Sequence, residues 1–308
     1  MSLKSSLKRR PVIYEIVPPR RDTSRFNTEL QGIEQVLEDR RIAAINIPEL
    51  MARREAKGKV HYSPTTMPPE EYAVMIRDYK EPIVNVVAPR LAKSEFLARA
   101  RRILRDLKMK NIVVVGKERQ GDVLPGPGVV EALGLVRSED EGAALGGICI
   151  FDRETGPSSD YGARSRLSEA RRVWLKAKSG CDFVTSQIAF DPRPALGFIA
   201  AYRRLCEETE TEPLTVFVSL TTVPTKSILS LIESLDVVVP LKVKRRMEDS
   251  GNMGAESLKV GAEVFQDILS ESERRGDGIP LGLQIEQVGV NSAGLSLELL
   301  DRVYAGFR

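Results

Sequence analysis

Short apolar, β-branched runs recur along the chain, and a longer amphipathic stretch follows most of them. The runs are Val12–Val17, Ala43–Ile47, Ile83–Ala88, Ile112–Val115, Gly147–Phe151, Asp182–Ile188, Leu214–Ser219 and Leu281–Val288. Between them, Lys93–Lys108, Arg164–Ser179 and Ala195–Glu208 repeat apolar residues at helical spacing. Strands alternating with helices in this way predict βαβ units and a parallel sheet. Eight units in 308 residues fit a closed (β/α)8 TIM barrel, for which about 250 residues is typical. A doubly wound open sheet shares the alternation and is the structural alternative. A ninth apolar run, Asp236–Leu241, falls inside the seventh connection, because Glu256–Ser272 makes a helix before the last strand. No Pro/Gly/Ser-rich linker divides the chain, so residues 1–308 read as a single barrel domain. The loosest stretches are Arg119–Gly128, Asp152–Tyr161 and Arg245–Gly254. Each follows a strand or strand-like run, on the face where barrels carry their active-site loops.

Two strands hold a polar side chain where the pattern calls for an apolar one. In Val12-Ile13-Tyr14-Glu15-Ile16-Val17, alternation puts Glu15 on one face with Ile13 and Val17. A carboxylate among apolar neighbours is costly unless paired or protonated, and burial raises its pKa toward that of a general acid useful near neutral pH. An ion pair with one of the abundant lysines or arginines is the plainer reading. Gln187 lies near the carboxyl end of the sixth strand, where its amide offers both a donor and an acceptor to a heterocycle edge. A backbone-satisfied amide is the alternative there.

Composition narrows the chemistry. The only histidine is His61, and Cys149, Cys181 and Cys206 never form a CxxC pair, so no zinc site is readable and no metal is expected. A Ser-His-Asp triad has no GxSxG turn to hold its serine. Lys+Arg 46 against Asp+Glu 43 gives a net charge of +3, too small and too dispersed for nucleic-acid binding. The basic runs Lys242–Arg246 and Arg99–Arg105 read as solvated helix faces. No apolar run is long enough to span a bilayer, and the first residues lack a hydrophobic signal core. With isolated thiols, these features predict a cytoplasmic protein. Apolar faces on an outer helix ring are compatible with a homo-oligomer.

The two polar strands also carry a resemblance. Tyr14-Glu15-Ile16-Val17-Pro18-Pro19 resembles the Phe-Glu-Phe-Phe-Pro-Pro opening of methylenetetrahydrofolate reductases. Leu175–Asp191 is similar to that family's Leu-Lys…Ala-Gly-Ala…Thr-Gln…Phe-Asp stretch, with Lys176, Gly180, Gln187 and Asp191 in place. Gly261-Ala262 opens a helix much as a Gly-Ala pair does before the family's last strand. The resemblance implies a (β/α)8 barrel that reduces 5,10-methylene-tetrahydrofolate, or a related pterin, to the 5-methyl form with NAD(P)H through FAD. It makes Glu15 the acid that opens the imidazolidine ring, since nitrogen leaves well only when protonated. It makes Gln187 a pterin ligand and Lys176 a contact of the flavin ribityl-phosphate region.

Other flavin-contact positions differ from the family. Its fourth strand ends Arg-Gly-Asp, where this chain has Val115-Gly116-Lys117. Lys117 in that place would favour an anionic reduced flavin. Alternatively, Gly121-Asp122-Val123-Leu124-Pro125-Gly126 matches a Gly-Asp-x-Pro-Pro-Gly loop and offers Asp122. The flavin-facing Pro-His-Leu-Thr run becomes Ile83-Val84-Asn85-Val86-Val87, which leaves Asn85 as the polar contact. The expected Tyr-Pro-Glu-x-His becomes Phe151-Asp152-Arg153-Glu154, and Val-Thr-Tyr becomes Ile45-Asn46-Ile47-Pro48-Glu49. Two functions therefore stand: a divergent reductase, or a barrel that binds a pterin without redox chemistry as a subunit of a one-carbon complex. A different lyase or transferase on the same barrel is a third, since fold does not fix function.

Overall fold

The computed structural model describes residues 2–20, 32–56, 59–117, 123–155, 167–289 and 292–307. Eight strands close into a parallel barrel: β1 (Val12–Ile16), β2 (Ile42–Ile47), β5 (Glu81–Val87), β6 (Asn111–Val115), β7 (Ala144–Cys149), β8 (Phe183–Ile188), β9 (Thr215–Thr221) and β10 (Leu281–Gln287). They follow one another around the barrel in chain order, and β10 returns to pair with β1. The open-sheet alternative is thereby excluded. The remaining strands, β3 (Met51–Ala56) and β4 (Lys59–Pro64), form a separate antiparallel hairpin. The sequence pattern does not predict that hairpin, which includes His61.

The ninth apolar run makes no strand and instead leads into the helix Leu241–Asp249. Most of Arg245–Gly254 is therefore helical, since Met253–Arg275 starts almost at once and is capped by the Asn252 side chain on the Ala255 N–H. The fifth barrel strand begins at Ala144 rather than Gly147. Its Gly146-Gly147 pair hides the start, because glycine weakens a strand pattern. Packing requires the first of them: a Cβ on Gly146 would lie 2.5 Å from the Phe183 ring.

Alternation divides the strand residues into two cores. Outward residues meet the helices in the larger one. Inward residues Ile13, Ala44, Ile83, Val113, Ala144, Phe183 and Phe217 fill the lower barrel. Leu3 and Leu7, from the N-terminal segment carrying helix Leu3–Ser6, join that inner cluster and close the barrel from below. Thr215 Oγ1 donates to the Leu7 carbonyl at 2.9 Å, and the Leu3 N–H donates to Glu81 Oε2 at 2.8 Å. Phe183 and Phe217 pack edge to face, with centroids 5.5 Å apart. On the outside, Trp174 is a packing residue: its Nε1 donates to Thr209 Oγ1 at 2.8 Å while Arg171 covers the ring. Among the described residues no helix is long and apolar enough to cross a membrane.

Candidate functional site

One layer above the phenylalanines, the inward face turns polar. Two residues on from Ile13, Ala44, Ile83, Phe183 and Phe217 come Glu15, Asn46, Asn85, Thr185 and Ser219. Gln284 and Glu286 follow Gly282, whose missing side chain makes room for Phe217. The period of two that buries one layer thus aims the next polar layer at the carboxyl-terminal mouth, where barrels bind ligands.

Register places the acids side by side. Glu15 pairs with Glu286 on one neighbouring strand and with Asn46 on the other. Asn46 Nδ2 donates to Glu15 Oε2 at 2.6 Å. Gln284 Nε2 bridges the carboxylates, donating to Glu15 Oε2 at 3.2 Å and to Glu286 Oε1 at 3.0 Å. Burial, and then the charge of Glu286, hold Glu15 well above the usual carboxyl range, while the Asn46 bond pulls the other way. Burial likewise pushes Glu286 up to about 7, against the lowering effect of Ser219 and Gln284.

The same contacts orient the amides. With their nitrogens turned to carboxylates, Asn46 Oδ1 and Gln284 Oε1 are buried without a hydrogen-bond partner, as is Asn85 Oδ1. Native proteins leave few such atoms, so three at one barrel end call for a reason. A ligand rich in N–H donors would supply one.

Above the acids opens a cavity of about 220 Å3. Its polar wall is Glu15, Glu286, Gln284, Gln187, Thr185 and Ser186; Ile148, Ile188, Leu235 and Val237 form the apolar one. Gln187 Nε2 donates to the Leu235 carbonyl at 3.0 Å, which ties the end of β8 to the segment leading into Leu241–Asp249. Glu15 and Gln187, 172 positions apart in sequence by their numbering, thus share one cavity.

The remaining sequence candidates are scattered. Lys176 is buried behind β7, its Nζ donating to the Ile148 carbonyl at 2.5 Å and lying 3.8 Å from the fully buried Glu169. Lys117 is exposed just beyond β6, and Asn85 sits inward on β5. Asp122 lies outside the described residues. Among the described residues no group of three or more His, Cys, Asp or Glu side chains could hold a metal ion. Sequence reasoning missed Glu286, Gln284 and Asn46 as site residues. The argument that singled out Glu15 applies equally to Leu283-Gln284-Ile285-Glu286, where both polar residues share a face between apolar ones.

No family model and no curated protein matches this sequence. Solved structures do. An uncharacterised protein from Clostridium thermocellum that binds two copies of 5-methyl-5,6,7,8-tetrahydrofolic acid superposes with a TM-score of 0.76, covering 98% of this chain and 99% of that one at 18% identity. The family 51 α-L-arabinofuranosidase AbfB from Bifidobacterium longum follows at a TM-score of 0.53 and 11% identity, covering 94% of this chain and 74% of that one. The Bacillus cereus spore cortex-lytic enzyme SleL superposes at 0.50 with the same identity and coverage. What these likenesses share is the barrel. At such identities they extend no further.

Proposed function

We propose that the barrel mouth binds a reduced folate through its pterin ring and reduces 5,10-methylene-tetrahydrofolate to the 5-methyl form, with Glu15 as the acid. The observation that carries the reading is the Glu15–Glu286 pair beneath a cavity that Gln187 also lines. A pterin edge presents several N–H donors, which suits a wall of carboxylates and unpartnered amide oxygens. The full-length likeness to a methyl-tetrahydrofolate-binding barrel points to the same ligand class. Glu15 delivers its proton to the nitrogen that leaves when the imidazolidine ring opens, which produces an iminium at the one-carbon unit. Hydride from NAD(P)H then adds to that carbon, leaving NAD(P)+ and the 5-methyl product.

The described residues fit flavin poorly. Lys176, the residue matched to the ribityl-phosphate contact, is committed to Ile148 and Glu169. No step is therefore routed through FAD. The commitment of Lys176 equally favours the second reading, a folate-binding subunit without redox chemistry.

The test is consumption of NADH or NADPH in the presence of 5,10-methylene-tetrahydrofolate, with and without added FAD, alongside calorimetric binding of 5-methyl-tetrahydrofolate. Turnover without FAD is the expected result. Glu15→Gln should then lower kcat by about 10²–10⁴-fold, the usual share of general acid catalysis, and change ligand affinity only a few-fold. Binding without turnover would establish the carrier; neither would sink the folate reading.

A further inference from the structure

Glu286 matched no family position, yet it stands against Glu15 in the barrel register. We propose that Glu15 and Glu286 form one proton-sharing acid, in which Gln284 holds the two carboxyls together and Glu286 is the positioning residue that keeps the proton on Glu15 until a ligand takes it. The proposal rests on the assignment of this mouth as the working site, but its central measurement needs no substrate.

Three observations support it. The first is the bridge: a single Gln284 amide nitrogen donates to both carboxyls, which fixes them on one side of the barrel. The second is the surroundings. Asn46 faces the pair from β2, Ser219 and Thr221 from β9, and Thr185 and Gln187 from β8, all of them neutral. From the connection after β9 come Leu235 and Val237. No lysine or arginine lines the cavity among the described residues, so two full negative charges would face each other without a counter-ion. The third is a contrast: Glu15 and Glu286 are half-buried and open to the cavity, whereas Glu70 and Glu169 are buried outright. Glu70 accepts from Arg99 Nε at 3.0 Å and from its Nη2 at 2.8 Å, and Glu169 lies within 4.0 Å of Arg153, Arg172 and Lys176. For each of these two buried carboxylates the fold supplies a cation. At the mouth it supplies a second carboxyl, and like charges at such range ionise one after the other.

The chemistry balances simply. Before turnover the pair carries one proton and one negative charge. Transfer of that proton from Glu15 to the leaving nitrogen leaves both groups ionised, and a solvent proton restores the pair once product departs.

Difference infrared spectroscopy of the full chain labelled with carboxyl-13C glutamate, titrated from about pH 5 to about pH 9, reads the carboxylic-acid band directly. The wild type should keep a protonated carboxyl at neutral pH and lose it in an upper step. Glu286→Gln should retain a single step, lowered by about one pH unit or more, because an amide of the same shape cannot repel Glu15. Glu286→Asp should move the step back toward the wild-type position. If the enzyme turns over, the alkaline limb of kcat should follow the upper step in each variant. An upper step that stays in place in Glu286→Gln would overturn the pair. So would a wild type with no protonated carboxyl at neutral pH, a result that stands even if the variant fails to fold. A correct titration without any turnover would leave the pair intact and remove only the reductase.

Discussion

The two ends of this barrel treat the same problem, a carboxylate inside a parallel sheet, in opposite ways. At the lower end Glu81 receives the Leu3 backbone N–H at 2.8 Å and Asn111 Nδ2 at 3.0 Å, beneath a plug of Leu3 and Leu7. Its oxygens have partners from two directions, and Asn111 spends its other contact on the Pro82 carbonyl. At the upper end Glu15 and Glu286 share one amide nitrogen, raise each other's cost of ionisation, and stand among amide oxygens with nothing to accept. Although Asn111 Oδ1 is buried there without a hydrogen-bond partner, the carboxylate of the lower end is satisfied without a ligand. The upper end is not, and it holds polar groups that would be more stable elsewhere, which is how a site differs from a scaffold. The division predicts that changes below should move stability and changes above should move ligand chemistry.

The strongest test of that division is the plug. Leu3 has no exposed surface and belongs to the inner cluster. Leu3→Ala should cost about 2–5 kcal/mol of unfolding free energy, the usual range for emptying a well-packed leucine site. Urea unfolding measures the loss. Affinity for 5-methyl-tetrahydrofolate, measured well below the melting temperature, should stay within about two-fold. A variant that keeps its stability but loses affinity would break the comparison.

A smaller effect comes from the boundary between the layers. The Cβ of an alanine at Gly282 would sit 2.5 Å from Phe217 Cδ1. Gly282→Ala should therefore cost about 1–3 kcal/mol through overpacking. Because Gln284 and Glu286 lie on the same strand, the strain should also reach the bridge. Relief by the companion change Phe217→Leu, with both unfolding free energy and ligand affinity recovering together, would mark this ring as the floor of the site. Recovery of stability alone would mean that the phenylalanine layer and the polar layer above it are uncoupled.

How much of this was legible in the chain varies by layer. The barrel was readable because parallel strands buried on both faces leave dense β-branched runs, and Ile112–Val115 or Leu214–Ser219 could hardly be anything else. The site was half readable. Glu15 and Gln187 were visible as polar interruptions, but only register shows that Glu15 faces Glu286, because β1 and β10 stand at opposite ends of the sequence. Asn46 was noticed as a departure from the reductase pattern, and its role as the donor to Glu15 appears only with the fold. Lys176 illustrates the reverse. The resemblance put it against a flavin, yet a lysine's long stem lets it reach a carbonyl and a buried acid behind the strand, and spacing along a helix does not reveal that choice.

The finest test uses pH. An acid whose folded pKa lies above its unfolded value binds more protons in the native state, so it stabilises at low pH and that contribution is lost as pH rises through the folded value. Glu286, pushed up to about 7 chiefly by burial, and Glu15, held well above its ordinary range, both have this sign. The acids at the surface ion pairs have the other: Glu271, lowered to about 2 by Arg274 and Arg275, stabilises at neutral pH and ceases to do so only in acid. Between about pH 5 and pH 8 the slope of stability should therefore be negative and belong to the mouth. Glu286→Gln keeps the shape and a hydrogen-bonding group while removing the ionisation. Its unfolding free energy should gain on that of the wild type by at least about 1 kcal/mol between about pH 5 and pH 8, because a folded value of about 7 lies more than one unit above the ordinary 4.5 and each unit is worth about 1.4 kcal/mol. Parallel urea titrations at the two pH values measure the difference. No gain between the two would mean that Glu286 ionises without cost, and the upper end of the barrel would then be as well satisfied as the lower.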